Sequence, residues 1–461
     1  MHKIIILFTI TILLFSCSNS SEQKSKQKIT TAEQEPKQEV LLKGKTGTIN
    51  TNKTSYTYYL PANYNDSVKY PVFIIFDPHA SGDLPINLYK SYAEKYGYML
   101  VASNDSKNGT DYQHINNIIN SLLDDILNRL SIDTNRIYTM GFSGGARVAS
   151  LMAFNKYLIK GCVLCGGGLM QNILSNHKVT ILSFAGNTDF NLNELLELNK
   201  NIPDSFYHHL IIYDGKHQWP DSLTIEDAFY WTIFNEIRDG LRPLNKNLIN
   251  EFYDKNIKLA KKTNKTNKLK AYYIYLKIYN FLKGLIKTDD IENELSKISK
   301  NSLYKKQVSE QKNILKTEQN KEQELMQNFV YKDTVWWNKK IKELAKDTLK
   351  NNNISQSNKR ILAFLGLVSY MQTNTALRQN QILVAEKYDA IYKYVNPKNT
   401  EAYYLGALIS AKQKNTGKVL KNLKQALLLG FDDLNRINNE PSFAYLSNNQ
   451  QFIDLINNNY K

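Results

Sequence analysis

Between residues 50 and 215, apolar runs of strand length alternate with stretches whose apolar residues recur at helical spacing. Positions 54–60 alternate on a two-residue period after the turn at Asn52-Lys53, the pattern of a half-buried strand. Further runs at 71–77, 98–103, 136–142, 161–165, 179–185 and 209–213 are mostly continuous in apolar residues. Strands covered on both faces of a parallel sheet read this way. Ahead of the run at 136–142, Ile115, Ile118, Ile119, Leu122, Leu123, Ile126, Leu127 and Leu130 form an unbroken i, i+3, i+4 stripe, which predicts a helix over 113–130. Strands that alternate with helices predict an α/β fold with about eight mostly parallel strands over residues 42–242.

From residue 246 the pattern changes. Glycine and proline become scarce and the amphipathic stretches lengthen, which predicts an all-α region over 246–360 and a further one over 361–461. Lysines at 255, 258, 261, 262, 265 and 268 mark a wet face, and Tyr272, Tyr273, Tyr275, Tyr279 and Phe281 a packed one. Residues 288–330 are polar enough to be either a long helix or a loose connector. Trp336-Trp337 marks either a packed spot or a sticky one. Pro397 closes one helix, Ala402-Tyr403-Tyr404-Leu405-Gly406-Ala407 opens another, and Val419, Leu423 and Ala426 fall where a partner helix would pack. This segment resembles a tetratricopeptide unit, with a partial one over about 365–397 before it and a capping helix after Gly430. That resemblance implies a groove for a protein or peptide partner, or a rigid spacer.

Composition narrows the class. At 42% apolar and 11% aromatic the chain can build packed cores, and three cysteines exclude a disulfide-stapled scaffold. The net charge of +16 is not evenly spread: residues 246–461 carry 37 basic and 20 acidic side chains, and the first 245 are nearly neutral. Scattered lysines in a chain rich in Lys, Asn and Ile read as a solvated surface rather than a polyanion site.

The first residues add a location. Met1-His2-Lys3 is a basic start and residues 4–15 an apolar core too short to span a bilayer, which predicts a signal peptide over 1–16. Leu14-Phe15-Ser16-Cys17 resembles a bacterial lipobox, with Cys17 as the lipidated residue and 17–41 as a polar, flexible tether. The chain is thereby expected in the cell envelope, held to a bacterial membrane, the outer one by preference, through a lipid anchor alone and facing periplasm or exterior. That location argues against a nucleic-acid partner.

Candidate chemistry centres on Gly141-Phe142-Ser143-Gly144-Gly145, which lies between a strand and a helix start. G-x-S-x-G in that context lifts a serine hydroxyl above the sheet on a strained turn, with the Gly144 N–H at the helix start aimed at the atom it attacks. A serine needs a base, and the base a carboxylate. Asp189 follows the strand at 179–185 and His217 follows the last strand, so Ser143, Asp189 and His217 fall in the right order. Asp214, just ahead of His217, is the rival acid. His208 and His209 sit in or at a strand and read as structural. The loop after 71–77 should bring a second oxyanion donor, by preference the N–H of His79, with Ala80 next, since Pro78 has none. Cys162 and Cys165 form C-x-x-C inside a strand and read as packing residues, not a redox or metal pair.

RIYTMGFSGGARVAS, AGNTDFN and DGKHQWP together resemble the alpha/beta-hydrolase superfamily, and within it secreted esterases akin to feruloyl and acetyl-xylan esterases and polyhydroxybutyrate depolymerases. The resemblance covers about 200 residues and implies a nucleophile, acid and base at Ser143, Asp189 and His217, with no cofactor and no metal. It implies cleavage of small or polysaccharide-linked carboxylic esters through an acyl-enzyme. A serine peptidase with the same triad and a catalytically idle scaffold whose helices carry the function are the alternatives.

Overall fold

The structure is a computed structural model that describes residues 40–170, 178–350 and 352–457. Signal peptide, Cys17 and nearly all of the tether fall outside the described residues. The described residues from Leu42 onward form a single compact unit.

Eight strands make one sheet: β1 (Thr46–Asn50), β2 (Ser55–Tyr59), β3 (Tyr70–Phe76), β4 (Met99–Ser103), β5 (Ile132–Phe142), β6 (Ile159–Cys165), β7 (Thr180–Gly186) and β8 (His208–Tyr213). Their order across the sheet is β1-β2-β4-β3-β5-β6-β7-β8. β1 with β2 and β2 with β4 pair antiparallel, and every other pair is parallel. The sheet of about eight mostly parallel strands expected from the sequence is present. β1 has no counterpart in the apolar runs, because Ile49 is its one buried residue.

Parallel neighbours need crossovers, and helices supply them. α1 (Asp83–Tyr96) links β3 to β4, α2 (Tyr112–Arg129) β4 to β5, α3 (Gly144–Asn155) β5 to β6 and α4 (Leu192–Asn201) β7 to β8, with α5 (Ser222–Arg238) after the last strand. α2 is the helix expected over 113–130: Ile115, Ile119, Leu122, Leu123 and Ile126 are buried, and Asp111 caps it by accepting the His114 N–H. α5 is buried along an unbroken run from Ile225 to Glu236, so it is covered on its outer side as well as by the sheet.

The cover comes from α6 (Lys246–Thr263) and α7 (Lys268–Leu282). Phe252 of α6 and Phe281 of α7 stack at 4.9 Å, Tyr230 of α5 lies 5.2 Å from Phe252, and Trp231 lies 5.0 Å from Phe281. One apolar core runs from Tyr59 through the sheet to Ile298. The division between 242 and 246 drawn from sequence is therefore no break in packing. Glu236 sits fully buried in this core and is satisfied there by Tyr98 Oη (2.6 Å), Tyr138 Oη (3.0 Å) and Arg242 Nε (2.7 Å). The lysines at 255, 258, 261, 262 and 265 are exposed, and Lys268, at the start of α7, is half-buried.

Beyond α8 (Asp289–Lys300) the polar stretch resolves as a helix, α9 (Ser302–Tyr331), followed by α10 (Thr334–Asp347), α11 (Asn353–Arg378), α12 (Ile382–Val395), α13 (Thr400–Lys412) and α14 (Thr416–Leu428). Trp337 is fully buried against Phe329, so the tryptophan pair marks a packed spot. Tyr404, Ala407 and Ala411 of α13 meet Val419, Leu423 and Ala426 of α14, and Phe431, Phe443 and Phe452 close the end of that core.

Candidate active site

β5 delivers the chain into a turn whose backbone is strained. Ser143 has φ 53° and ψ −118°, a region that side-chain-bearing residues seldom enter. The turn is steric in origin. A Cβ on Gly145 would lie 2.0 Å from the Phe76 carbonyl oxygen of β3, and one on Gly141 2.1 Å from the Gly145 carbonyl oxygen. The Ser143 N–H donates to the Cys165 carbonyl (2.8 Å), which fixes the turn to the end of β6. Gly144 opens α3, and an N–H in the first turn of a helix has no acceptor within it. A Cβ at Gly144 would meet Asn108 Oδ1 at 1.8 Å, so Asn108 stands directly beside this position.

Three separate strand ends converge here. Ser143 Oγ lies 3.0 Å from His217 Nε2, and His217 Nδ1 lies 2.8 Å from Asp189 Oδ1. The bond to a carboxylate places the imidazole proton on Nδ1 and leaves Nε2 to accept from the serine. Asp189 is fully buried. Its Oδ1 also accepts the Asn191 N–H (2.8 Å), while its Oδ2 has no hydrogen-bond partner among the described residues. Thr188 binds the Gly215 carbonyl through its hydroxyl (2.7 Å), which ties the acid loop to the histidine loop. The His217 ring lies between Phe190 and Phe142, with centroids 4.1 and 4.7 Å away.

Asp214 points away. Its side chain is 76% exposed and binds Lys270 Nζ (3.3 Å) and Asn187 Nδ2 (2.7 Å). His208 and His209 are structural, as the sequence suggested. The His208 ring binds two backbone carbonyls, and buried His209 pairs with the Asn280 amide (3.0 Å).

The N–H of His79, the expected second oxyanion donor, donates to Asp77 Oδ1 (2.8 Å) and is engaged within its own loop. Asp77 is buried, and its Oδ2 accepts the indole N–H of Trp219 (2.8 Å), two residues beyond His217. Burial would raise the Asp77 pKa, but the hydrogen bonds from His79 and Trp219 outweigh it and hold the carboxyl below its ordinary value. The hydrogen bond and the negative charge of Asp77 raise the His79 pKa in turn, against the effect of burial. Ala80 has φ 59° and a long turn bond of 3.3 Å from its N–H to the Asp77 carbonyl.

Sequence reasoning passed over several neighbours. Asp77 ended an apolar run and Trp219 followed the histidine, but nothing in the spacing paired them. Arg147, one turn beyond Ser143, binds Glu194 (2.9 Å), which in turn accepts the Gly168 N–H (3.2 Å) beside the turn. Cys162 and Cys165 are buried in β6 without a disulfide, and burial pushes the Cys162 thiol up to about 12. A cleft of about 750 Å³ lined by Lys69, Arg136, Arg242 and Lys246 lies at the opposite, N-terminal end of the strands and takes no part in this arrangement.

No family model matches the chain, and no curated protein matches it. Among solved structures it is similar to an esterase from Pyrobaculum calidifontis, at 12% identity and TM-score 0.34 over 43% of this chain and 83% of that one. It is similar to Est1E from Butyrivibrio proteoclasticus at 12% identity and TM-score 0.33, over 41% of this chain and 98% of that one. It is also similar to the feruloyl esterase module from Clostridium thermocellum complexed with sinapinate, at 15% identity and TM-score 0.34, over 40% of this chain and 85% of that one.

Proposed function

We propose that the chain is a serine hydrolase that cleaves carboxylic esters, held to a bacterial membrane, the outer one by preference, through a lipid on Cys17. The observation that carries the reading is the continuous relay from Ser143 Oγ to His217 to buried Asp189, at 3.0 and 2.8 Å, on a strained strand-to-helix turn. Ser143 Oγ attacks the ester carbonyl carbon and its proton passes to His217 Nε2. Asp189 holds the imidazole orientation and stabilises the imidazolium. The tetrahedral oxyanion is bound by the Gly144 N–H and, in place of His79, by the N–H of Ala80, whose own turn bond is weak. His217 then protonates the departing alkoxide, and water attacks the acyl-enzyme by the same route in reverse. In this reading the helices over 361–461 are tetratricopeptide-like and offer a partner surface.

The engaged His79 amide favours the second reading, an idle hydrolase fold acting as a scaffold. The two part in one experiment: hydrolysis of short p-nitrophenyl esters by the chain lacking residues 1–17 and by its Ser143→Ala variant. The hydrolase reading requires activity that falls by roughly 10⁴- to 10⁶-fold in the variant, together with fluorophosphonate labelling of Ser143 that the variant lacks. No turnover and no labelling would leave the scaffold.

A further inference from the structure

The loop that carries Asp189 is gripped from outside the sheet. Arg360 of α11 is 3% exposed and Glu318 of α9 is 1% exposed. They form a two-pronged ion pair, Nε to Oε1 at 2.8 Å and Nη2 to Oε2 at 2.5 Å. The remaining arm of the guanidinium, Nη1, donates to the Asn187 carbonyl at 2.5 Å. Glu318 Oε1 also accepts from Asn193 Nδ2 at 3.4 Å, at the start of α4. Positions 187 and 193 bracket Asp189 and Phe190, the carboxylate and the ring that touch His217.

We infer that Arg360, oriented by Glu318, is a positioning residue that holds the Asp189 loop at the distance His217 requires, so that the helical half completes the active site; this rests on the hydrolase reading. A buried ion pair is a costly way to join two helices, since apolar side chains of the same size pack there at least as well. What an apolar pair cannot supply is a donor for the Asn187 carbonyl. The other polar groups of Asn187 are already spent, its N–H on the Tyr213 carbonyl and its side chain on Asp214 and the Gly215 N–H. Asp189 leaves one of its two carboxylate oxygens without a hydrogen-bond partner among the described residues. The guanidinium fork meets the loop at its outward-facing carbonyl with a fixed geometry that an ammonium lacks.

The test replaces the pair as a unit, Arg360→Met with Glu318→Leu, in the full chain, because removing Arg360 alone strands a buried carboxylate and threatens folding. Thermal melts establish that the variant is folded, and Arg360→Lys, which keeps the charge without the fork, serves as the milder second variant. The expected result is a fall in kcat for p-nitrophenyl acetate on the order of 10- to 100-fold with KM little changed, and a smaller fall in Arg360→Lys. Introduced into an Asp189→Asn background, the double replacement should cost nothing more, since it acts through the carboxylate already removed. Either of two outcomes overturns the inference with the hydrolase reading intact: folded variants within two-fold of wild-type kcat, or the same loss in both backgrounds. A wild-type chain that neither turns over ester nor takes fluorophosphonate overturns the hydrolase reading, and the role of Arg360 with it.

Discussion

Ser143 occupies a backbone conformation that costs about 1–3 kcal/mol and is kept because its neighbours leave no alternative. Gly141 and Gly145 are glycines because carbonyl oxygens stand where their side chains would be. This much could be read from five letters of sequence, since G-x-S-x-G states a steric requirement. The choice of acid could not, because Asp189 and Asp214 both follow strands in the right order. What separates them is burial and direction: Asp189 is enclosed and faces His217, while Asp214 is spent on Lys270 at the surface. Asp189→Asn should therefore lower kcat for a p-nitrophenyl ester by about 10⁴-fold, and Asp214→Asn should stay within about two-fold, the two assayed side by side. The bond made by the His79 amide was hidden for a related reason. A carboxylate two residues back competes for it, and spacing alone does not show which way Asp77 turns.

Legibility among the elements follows how many sides of each are wet. α2 has one apolar stripe and one solvated face, and its periodicity gave it away. α5 is enclosed from Ile225 to Glu236, so it carries no stripe to read. β8 shows the same enclosure at His209, which burial, with Lys277 nearby, pushes down to about 3 from an ordinary 6.5. The folded chain therefore keeps this imidazole neutral where the unfolded chain protonates it. Between pH 6.5 and 3 the unfolded state binds the extra proton, so stability is lost as pH falls through that window. From pH 7 to pH 5 the loss from this group should be roughly 2 kcal/mol, and urea melts of the wild type and His209→Gln at both values check it. The variant should show the shallower dependence.

Taken as a whole, the chain divides by charge but not by packing. The basic excess begins near residue 246, yet the core that includes Phe73 and Phe229 continues through Phe252, Phe281 and Ile298. Composition records what a surface meets, and a shared interior leaves no mark on it. A chain ended at residue 242 would bare the outer side of α5, including Trp231 and Tyr230, which are buried in the intact molecule. Such a fragment should aggregate or lose its cooperative melt, whereas residues 18–461 should melt through a single main transition, as size-exclusion chromatography and calorimetry would show.

α9 gives that unity a mechanical form. Its 30 residues, at about 1.5 Å each, make a rod about 45 Å long, and no glycine or proline interrupts it. Near its start, Gln307 and Gln311 are fastened to Leu269 and Tyr273 of α7. At mid-length Glu318 binds Asn193 at the start of α4, just past the acid loop, and near its end Phe329 packs on Trp337. Three stations of the molecule are thus strung on one covalent span without a joint. The spacing between the C-terminal helices and the serine relay is set by the length of a helix, and a load applied at one station is borne at the others.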